Sequence, residues 1–241
     1  MAAAASPTLL VLLLLLLHNF PSSPSAASPT ARRLLAADDQ DVQYFPDAAV
    51  SAGPPVPILD IEGKTVKAGG SYYIIPANTT THAGGVGMSS LSATSTCPLS
   101  VIQDRHADSN GSPLSFLPVA TKLGYIVRTS TDLNIEFTTT DACEEGGVWK
   151  VEEYDDDVEQ WFVGTGGVEG KPGARTVEDW FKIVKYGVNN YNYKLVHCPG
   201  VCKSCKIKCK DVGVFVDENG VRRLALTEDR PFVVKFMRAD I

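Results

Sequence analysis

Apolar and polar residues alternate along several short stretches of this chain, with the period of a β-strand that has one buried face. The alternation is regular in Leu133–Phe137 and has one exception in residues 232–236. Runs of β-branched and aromatic residues also indicate strands, and they occupy residues 72–75, 125–127, 161–163, 181–184, 193–196 and 214–216. The pattern predicts an all-β fold from Val56 onward.

Turn-forming pairs separate these stretches. They are Gly69-Gly70, Gly84-Gly85, Asn110-Gly111, Gly146-Gly147, Gly166-Gly167, Pro172-Gly173 and Asn219-Gly220. Periodicity of 3.6 residues, which would indicate an amphipathic helix, is not sustained over any useful window. Many short strands with regular turns are typical of a sandwich or a closed barrel, and periodicity alone does not choose between the two.

The N-terminal region has a different composition. Residues 9–17 are a nearly pure leucine run, too short to span a bilayer and of the size of a signal-peptide core. We therefore predict a secretory signal peptide over residues 1–27 and a propeptide or flexible tail over residues 28–53, which are rich in Ala, Ser, Pro and Asp. The folded domain is predicted to occupy residues 54–241.

Four of the six cysteines form a tight cluster, Cys198, Cys202, Cys205 and Cys209. The pairs 198/209 and 202/205 have the same sum of residue numbers, 407, as facing residues of one antiparallel hairpin require. Facing positions bring Cα atoms to about 4.5–5.5 Å, within reach of a disulfide. Four thiolates on a helix face would spread too far for one zinc ion, whereas a non-helical zinc knuckle stays open. The secretory leader favours disulfides and no metal.

The net charge and the missing sequence motifs argue against several classes of function. The formal net charge is −6, and acidic residues concentrate in residues 152–159, a stretch that we interpret as a solvated turn. These features argue against nucleic acid or an anionic membrane as partner. The chain lacks the sequence signatures of a nucleophile elbow, a zinc protease or a phosphate-binding loop. The histidines are His18, His82, His106 and His197. His197 adjoins Cys198, but a cysteine committed to a disulfide cannot act as a nucleophile. We expect no catalytic residues, no cofactor and no enzyme activity.

Ordered fragments over residues 54–238 resemble the soybean-type Kunitz inhibitor family, and its miraculin-like plant members most. They lie at residues 58–66, 69–75, 97–103, 115–118, 180–183, 198–209, 211–215 and 222–226. The resemblance implies a β-trefoil of twelve strands with pseudo-threefold symmetry. It also implies the disulfides Cys97–Cys143, Cys198–Cys209 and Cys202–Cys205.

The same resemblance implies an inhibitor of a serine endopeptidase of trypsin or subtilisin type. Its substrate-like reactive loop would be formed by Val119, Ala120, Thr121, Lys122, Leu123 and Gly124. Lys122 at the P1 position would fit a pocket with a carboxylate at its floor, whereas a shift of one residue would place Leu123 in an apolar pocket. Strong trypsin inhibitors of the family carry an asparagine that holds this loop, and Ala68 stands at that position. A methyl group does not donate a hydrogen bond, so the loop would lose preorganisation.

A second hypothesis is a non-inhibitory miraculin-like binding or defence glycoprotein, or an inhibitor of an α-amylase or cysteine protease through another surface. Sequons at Asn78 and Asn110 are candidate N-glycosylation sites. Because all six cysteines pair within the chain, no interchain disulfide is expected and we predict a monomer. The leader directs the protein to the extracellular space or the vacuole.

Overall fold

The computed structural model describes residues 54–78, 83–91, 97–119, 125–139, 143 and 146–239. Within them the chain forms a twelve-stranded sheet and a short 3₁₀ segment at Ala174–Asp179. The strands are β1 Tyr72–Pro76, β2 Val86–Ser89, β3 Ser100–Gln103, β4 Leu114–Pro118, β5 Leu133–Phe137, β6 Lys150–Asp155, β7 Gln160–Gly164, β8 Lys182–Lys185, β9 Tyr193–His197, β10 Lys210–Val216, β11 Arg222–Thr227 and β12 Val233–Arg238. The regions predicted as signal peptide and tail lie outside the described residues.

The strands repeat in three groups of four. In each group the middle two strands form a hairpin: β2 with β3, β6 with β7, and β10 with β11. One strand of each hairpin then pairs with both of the others, since β3 pairs with β7, β7 with β11 and β11 with β3. This mutual triangle is the pseudo-threefold arrangement of a β-trefoil, which confirms the fold that the resemblance implied.

The remaining strands form a second set of antiparallel pairs. β1 pairs with β12 and β4, β4 with β5, β8 with β9, and β9 with β12. An isolated bridge between Leu133 and Phe181 brings β5 beside the start of β8. The strand order runs from β2 to β5, with β6 and β8 paired beside this path and β3–β11 as an additional pairing. The trefoil is the architecture found, and periodicity alone did not select it.

Large aromatic side chains fill the core between these strands. Phe116 packs edge-on against Phe236, with 5.2 Å between ring centroids, and Trp149 packs edge-on against Phe181 at 6.0 Å. All four side chains are fully buried. Burying an aromatic or aliphatic side chain of this size contributes about 1.5–3 kcal/mol, so the first contact helps to hold the first and third groups together and the second stabilises the middle group.

The structure confirms the register predicted for the cysteine hairpin, but its strands end before they reach the cysteines. β9 and β10 pair Val196 with Asp211 and His197 with Lys210, which is the predicted register. The ladder ends there, and the cysteines lie in a loop beyond it rather than in strands. The disulfides are Cys97–Cys143, Cys198–Cys209 and Cys202–Cys205, with Cα separations of 5.7, 4.3 and 5.5 Å.

Two other local predictions need correction. The acidic stretch is not only a turn, because Glu152, Glu153 and Asp155 lie on β6. Strand pairing and an ion pair overcome the polar sequence there, since Glu152 accepts a hydrogen bond from Arg223 at 3.1 Å. Residues 125–127 do not form a strand. Ile126 makes an isolated bridge with Lys67 instead.

In the described part of the chain, no helix is long and apolar enough to cross a membrane. The same residues contain no group of three or more His, Cys, Asp or Glu side chains that could hold a metal ion.

Candidate functional site

The predicted reactive loop follows directly after β4. The backbone N–H of Val119 donates to the backbone oxygen of Asp132 at 2.9 Å, which fixes the chain where it leaves the sheet. The Val119 side chain is 39% exposed. The rest of the predicted loop lies outside the described residues: Ala120, Thr121, Lys122, Leu123 and Gly124. The choice between Lys122 and Leu123 as P1 therefore stays a prediction.

The chain is fixed again where it re-enters the described structure. The backbone oxygen of Tyr125 accepts a hydrogen bond from the N–H of Ala68 at 2.7 Å. Two residues later, Val127 accepts from the N–H of Ile58 at 3.0 Å and donates to the oxygen of Val66 at 2.9 Å. Residues 58–68 thus pair with residues 125–127. We call Val119 and residues 125–127, which flank the predicted loop, its stem. The Tyr125 side chain points outward and is 83% exposed.

Ala68 lies at the base of this stem. Its N–H holds Tyr125, and the next residue, Gly69, donates its own N–H to the backbone oxygen of Phe116 on β4 at 3.1 Å. The Ala68 methyl group is partly buried against the core. The backbone N–H groups of Ala68 and Gly69 therefore bind the chain on both sides of the predicted loop. The Ala68 side chain offers no hydrogen-bond donor to the loop.

Beyond Val119, Asp132 also forms an ion pair. Its carboxylate is 3.5 Å from the Lys182 ammonium, and the two side chains are 14% and 22% exposed. Between Tyr125 and Asp132 the chain turns through Ser130, whose φ is 57°, and the Thr131 hydroxyl donates to the backbone oxygen of Arg128 at 2.8 Å. Sequence reasoning missed Asp132 and Lys182. Asp132 immediately precedes β5 and Lys182 begins β8. No local sequence motif marks either residue.

A depression of about 230 Å³ opens beside the stem. Its walls include Pro118, Val119, Ile126, Arg128, Asp132 and Lys182. The wall combines apolar side chains with charges of both signs, and the depression adjoins the start of the predicted loop.

His197, one of the histidines noted in the sequence, is a buried structural residue. It is 1% exposed, with Nδ1 3.2 Å from the Trp180 oxygen and Nε2 3.0 Å from the Glu178 carboxylate. Its hydrogen bond lowers the pKa of Glu178. The two ring nitrogens thus tie β9 to the 3₁₀ segment and to Trp180, the residue that follows it.

Of the other histidines, His106 lies in the described part of the chain. His18 and His82 lie outside the described residues. His106 is on an exposed turn, where Nδ1 is 2.9 Å from the Asp104 carboxylate. A hydrolase triad needs a nucleophile hydrogen-bonded to the imidazole, whereas the ring-nitrogen contacts found among the described residues are to Asp104 for His106 and to Trp180 and Glu178 for His197.

Comparisons with known proteins agree with this architecture. A sequence model of the legume Kunitz family, described as trypsin and protease inhibitor, matches residues 58–238. Miraculin from Synsepalum dulcificum is 42% identical over 207 residues, covering 84% of this chain and 90% of miraculin. Kunitz trypsin inhibitor 5 from Arabidopsis thaliana is 45% identical over 183 residues, covering 76% and 86%.

A solved structure gives the same result. The Kunitz-type cysteine protease inhibitor PCPI-3 from potato superposes with a TM-score of 0.66 at 33% identity, covering 78% of this chain and all of the inhibitor. The prediction that the chain is not an enzyme agrees with a family described as inhibitors. The matched range spans every strand of the trefoil and the stem of the predicted loop, and the chain therefore belongs to the Kunitz family of trypsin and protease inhibitors.

Proposed function

We propose that this protein inhibits a serine endopeptidase by presenting residues 119–124 to the protease as a substrate-like loop. The observation that carries this proposal is the anchored stem. Val119 is held by Asp132 on one side, and Tyr125 is held by Ala68 on the other. A loop with fixed ends loses little conformational entropy when a protease binds it, and its ends stay in place after attack on the peptide bond.

The P1 residue sets the class of protease. Lys122 at P1 would place an ammonium group in a pocket with a carboxylate at its floor, as trypsin-like enzymes have. Leu123 at P1 would instead suit the apolar pockets of chymotrypsin- and subtilisin-like enzymes. Membership of a family described as trypsin and protease inhibitors supports the first choice.

Titration of the purified protein against trypsin, chymotrypsin and subtilisin tests the proposal. We expect slow-dissociating inhibition of trypsin that Lys122→Ala abolishes and that the matched control Lys171→Ala, at an exposed lysine far along the sequence, leaves unchanged. If Leu123→Ala removes inhibition and Lys122→Ala does not, residues 119–124 are the inhibitory loop but Leu123 is the P1 residue. A protein that inhibits none of the three at micromolar concentration contradicts the proposal.

A non-inhibitory binding role is the second candidate, and Ala68 is the observation that favours it. Ala68 offers no side-chain donor, and the hydrogen bonds described at the two ends of the loop, Val119 to Asp132 and Ala68 to Tyr125, are between backbone groups. Miraculin, a relative over most of the chain, does not carry an inhibitor's name. The potato relative is named as a cysteine protease inhibitor, so papain and an α-amylase belong in the same titration.

We also propose that the protein is secreted or vacuolar, monomeric and glycosylated. The predicted leader supports the route, and the three intrachain disulfides leave no cysteine of the chain free. Asn78 and Asn110 are both exposed. Asn110 precedes Gly111, whose φ is 80°. Expression in plant cells, with glycosidase treatment and gel mobility under non-reducing conditions, tests route, glycans and monomer together.

A further inference from the structure

Two disulfides are nested in the loop between β9 and β10. The outer one, Cys198–Cys209, joins residues 11 apart, and the inner one, Cys202–Cys205, joins residues 3 apart. The outer disulfide closes the loop directly above the last paired residues of the ladder, His197 and Lys210. The inner disulfide is therefore not needed to hold the two strands in register.

The inner disulfide also restrains the unfolded chain least. In the chain-entropy model the restraint grows with the number of residues in the closed loop. Cys97–Cys143 closes a loop with a separation of 46 residues, whereas Cys202–Cys205 closes the smallest loop of the three. Opening it should leave the fold intact.

The surroundings of the inner disulfide favour thiolate chemistry. Its spacing is Cys-x-x-Cys, a spacing at which thiolates form readily. Lys203, Lys206 and Lys208 are exposed in the same loop, and residues 198–210 contain no Asp or Glu. Positive charge of this kind stabilises a thiolate that forms when the disulfide opens.

One sulfur is stabilised more directly than the other. The Ser204 hydroxyl is 3.8 Å from the Cys202 sulfur, and because a disulfide sulfur carries no hydrogen, the hydroxyl is the donor. No corresponding donor to Cys205 is found among the described residues. Cys202 is thus the better leaving group of the pair.

The sulfurs are also accessible. Cys202 and Cys205 are half-buried, and Lys203 and Ser204 between them are exposed. Cys143 of the long-range disulfide is only 9% exposed. Cys209 of the outer disulfide is exposed, so accessibility separates the inner disulfide from Cys97–Cys143, and the stabilised leaving group separates it from Cys198–Cys209. A reductant therefore reaches the inner disulfide without moving the core.

We propose that Cys202–Cys205 is a thiol–disulfide exchange site for a dithiol reductant, a role independent of protease inhibition. A thiolate of the reductant attacks the sulfur of Cys205. The Cys202–Cys205 bond breaks, and Cys202 leaves with the electron pair and takes up a proton. The second thiol of the reductant then attacks its own sulfur in the mixed disulfide and releases Cys205. The protein gains two electrons and two protons, and the reductant becomes a disulfide.

Timed reduction of the full folded protein tests this proposal. The protein is incubated with limiting dithiothreitol, quenched with an alkylating agent at intervals and mapped by mass spectrometry. We expect Cys202 and Cys205 to be alkylated at least about tenfold faster than the other four cysteines, because a disulfide whose leaving thiolate is stabilised exchanges faster. Equal rates at all three disulfides, or faster opening of either other disulfide, would overturn the proposal.

Variants separate chemistry from mere exposure. Ser204→Ala and the double variant Lys203→Gln/Lys206→Gln should slow opening of the inner disulfide several-fold, whereas the control Lys171→Gln/Lys185→Gln should not. Unchanged rates in the first two variants would contradict the proposal.

A brief pulse of glutathione should leave its adduct on Cys205, and an adduct on Cys202 would contradict the assigned direction of attack. The variant Cys202→Ser/Cys205→Ser should keep the circular dichroism spectrum and Tm close to those of the parent, and unfolding would show that the disulfide is structural.

Discussion

The backbone N–H of Gly200 donates to both carboxylate oxygens of Asp132, at 3.0 and 3.1 Å, across 68 residues of sequence. Lys182 reinforces the contact, since its ammonium donates to the Cys198 oxygen at 2.6 Å and lies 3.5 Å from Asp132. The backbone oxygen of Asp132 meanwhile holds Val119. Asp132 therefore connects the disulfide loop to the stem of the predicted reactive loop.

Removing this carboxylate should weaken both stability and inhibition. Asp132→Ala leaves the Gly200 N–H without its acceptor and the Lys182 ammonium without its ion-pair partner, although Lys182 keeps its hydrogen bond to the Cys198 oxygen. Hydrogen bonds to a charged group are worth about 1.5–3 kcal/mol, so we expect a loss of that order in the free energy of unfolding, measured by urea denaturation. If the stem also positions the loop, the inhibition constant for the target protease should rise about tenfold.

Asp156→Ala is the matched control, because Asp156 is exposed in the turn after β6. It should change neither quantity. A loss of stability in Asp132→Ala with an unchanged inhibition constant would show that the disulfide loop and the reactive loop are not coupled.

Restoring a donor at the stem should strengthen inhibition. Ala68→Asn places a side-chain amide at the position where the family resemblance implies an asparagine in strong trypsin inhibitors, and a neutral hydrogen bond contributes about 0.5–1.5 kcal/mol. The inhibition constant for trypsin should therefore fall roughly three- to tenfold. Ala68→Asp has nearly the same shape but does not donate, and it serves as control. Equal effects of the two substitutions would mean that size, not donation, matters at this position.

The Tyr193 side chain also joins distant segments. Its hydroxyl accepts the N–H of Leu59 at 2.9 Å and donates to the Asn190 oxygen at 3.1 Å, and the side chain is fully buried. Tyr193→Phe should lower the free energy of unfolding by about 1–3 kcal/mol, because the Leu59 N–H loses its partner. Tyr125→Phe, at a side chain that is 83% exposed, should be neutral in the same denaturation experiment.

Local pattern predicted the strands that have regular alternation or branched residues. Leu133–Phe137 is β5 with the predicted bounds, because its alternating apolar residues face the core. β2 was missed, since Val86–Ser89 contains Gly and Ser and becomes a strand only by pairing with β3. β6 was interpreted as part of a turn because its acidic residues hide a strand whose stability comes from β7 and from Arg223.

The candidate site was predictable only in part. The cysteine register followed from residue numbers, because the β9–β10 ladder continues the same register up to His197 and Lys210. The Asp132 contacts with Lys182 and Gly200 were not predictable, since they join three separate segments and depend on the trefoil bringing β5, β8 and the disulfide loop together. Long-range polar contacts of this kind leave no periodic signal in a single sequence.

Asp179 makes the stability of the fold depend on pH. It is 6% exposed, and burial raises its pKa above the ordinary value of 3.8, although the Val168 N–H, Lys150 and His197 act in the opposite direction. A carboxyl with a raised pKa binds its proton more tightly in the folded state than in the unfolded state. Stability from this group is therefore complete below the ordinary pKa and is lost as pH rises through the folded-state pKa.

Asp179→Asn tests this dependence. An amide keeps an acceptor for the Val168 N–H, which donates to the Asp179 carboxylate at 2.9 Å, and it removes the cost of burying a charge. Urea denaturation at pH 7 should therefore show the variant to be more stable than the parent, and the difference should shrink or vanish at pH 3, where the parent carboxyl is protonated. Asp156→Asn, at an exposed position, should show no such pH-dependent gain. A variant less stable than the parent at pH 7 would mean that the ionised Asp179 carboxylate stabilises the fold, because its hydrogen bond to Val168 and the nearby positive groups then outweigh burial.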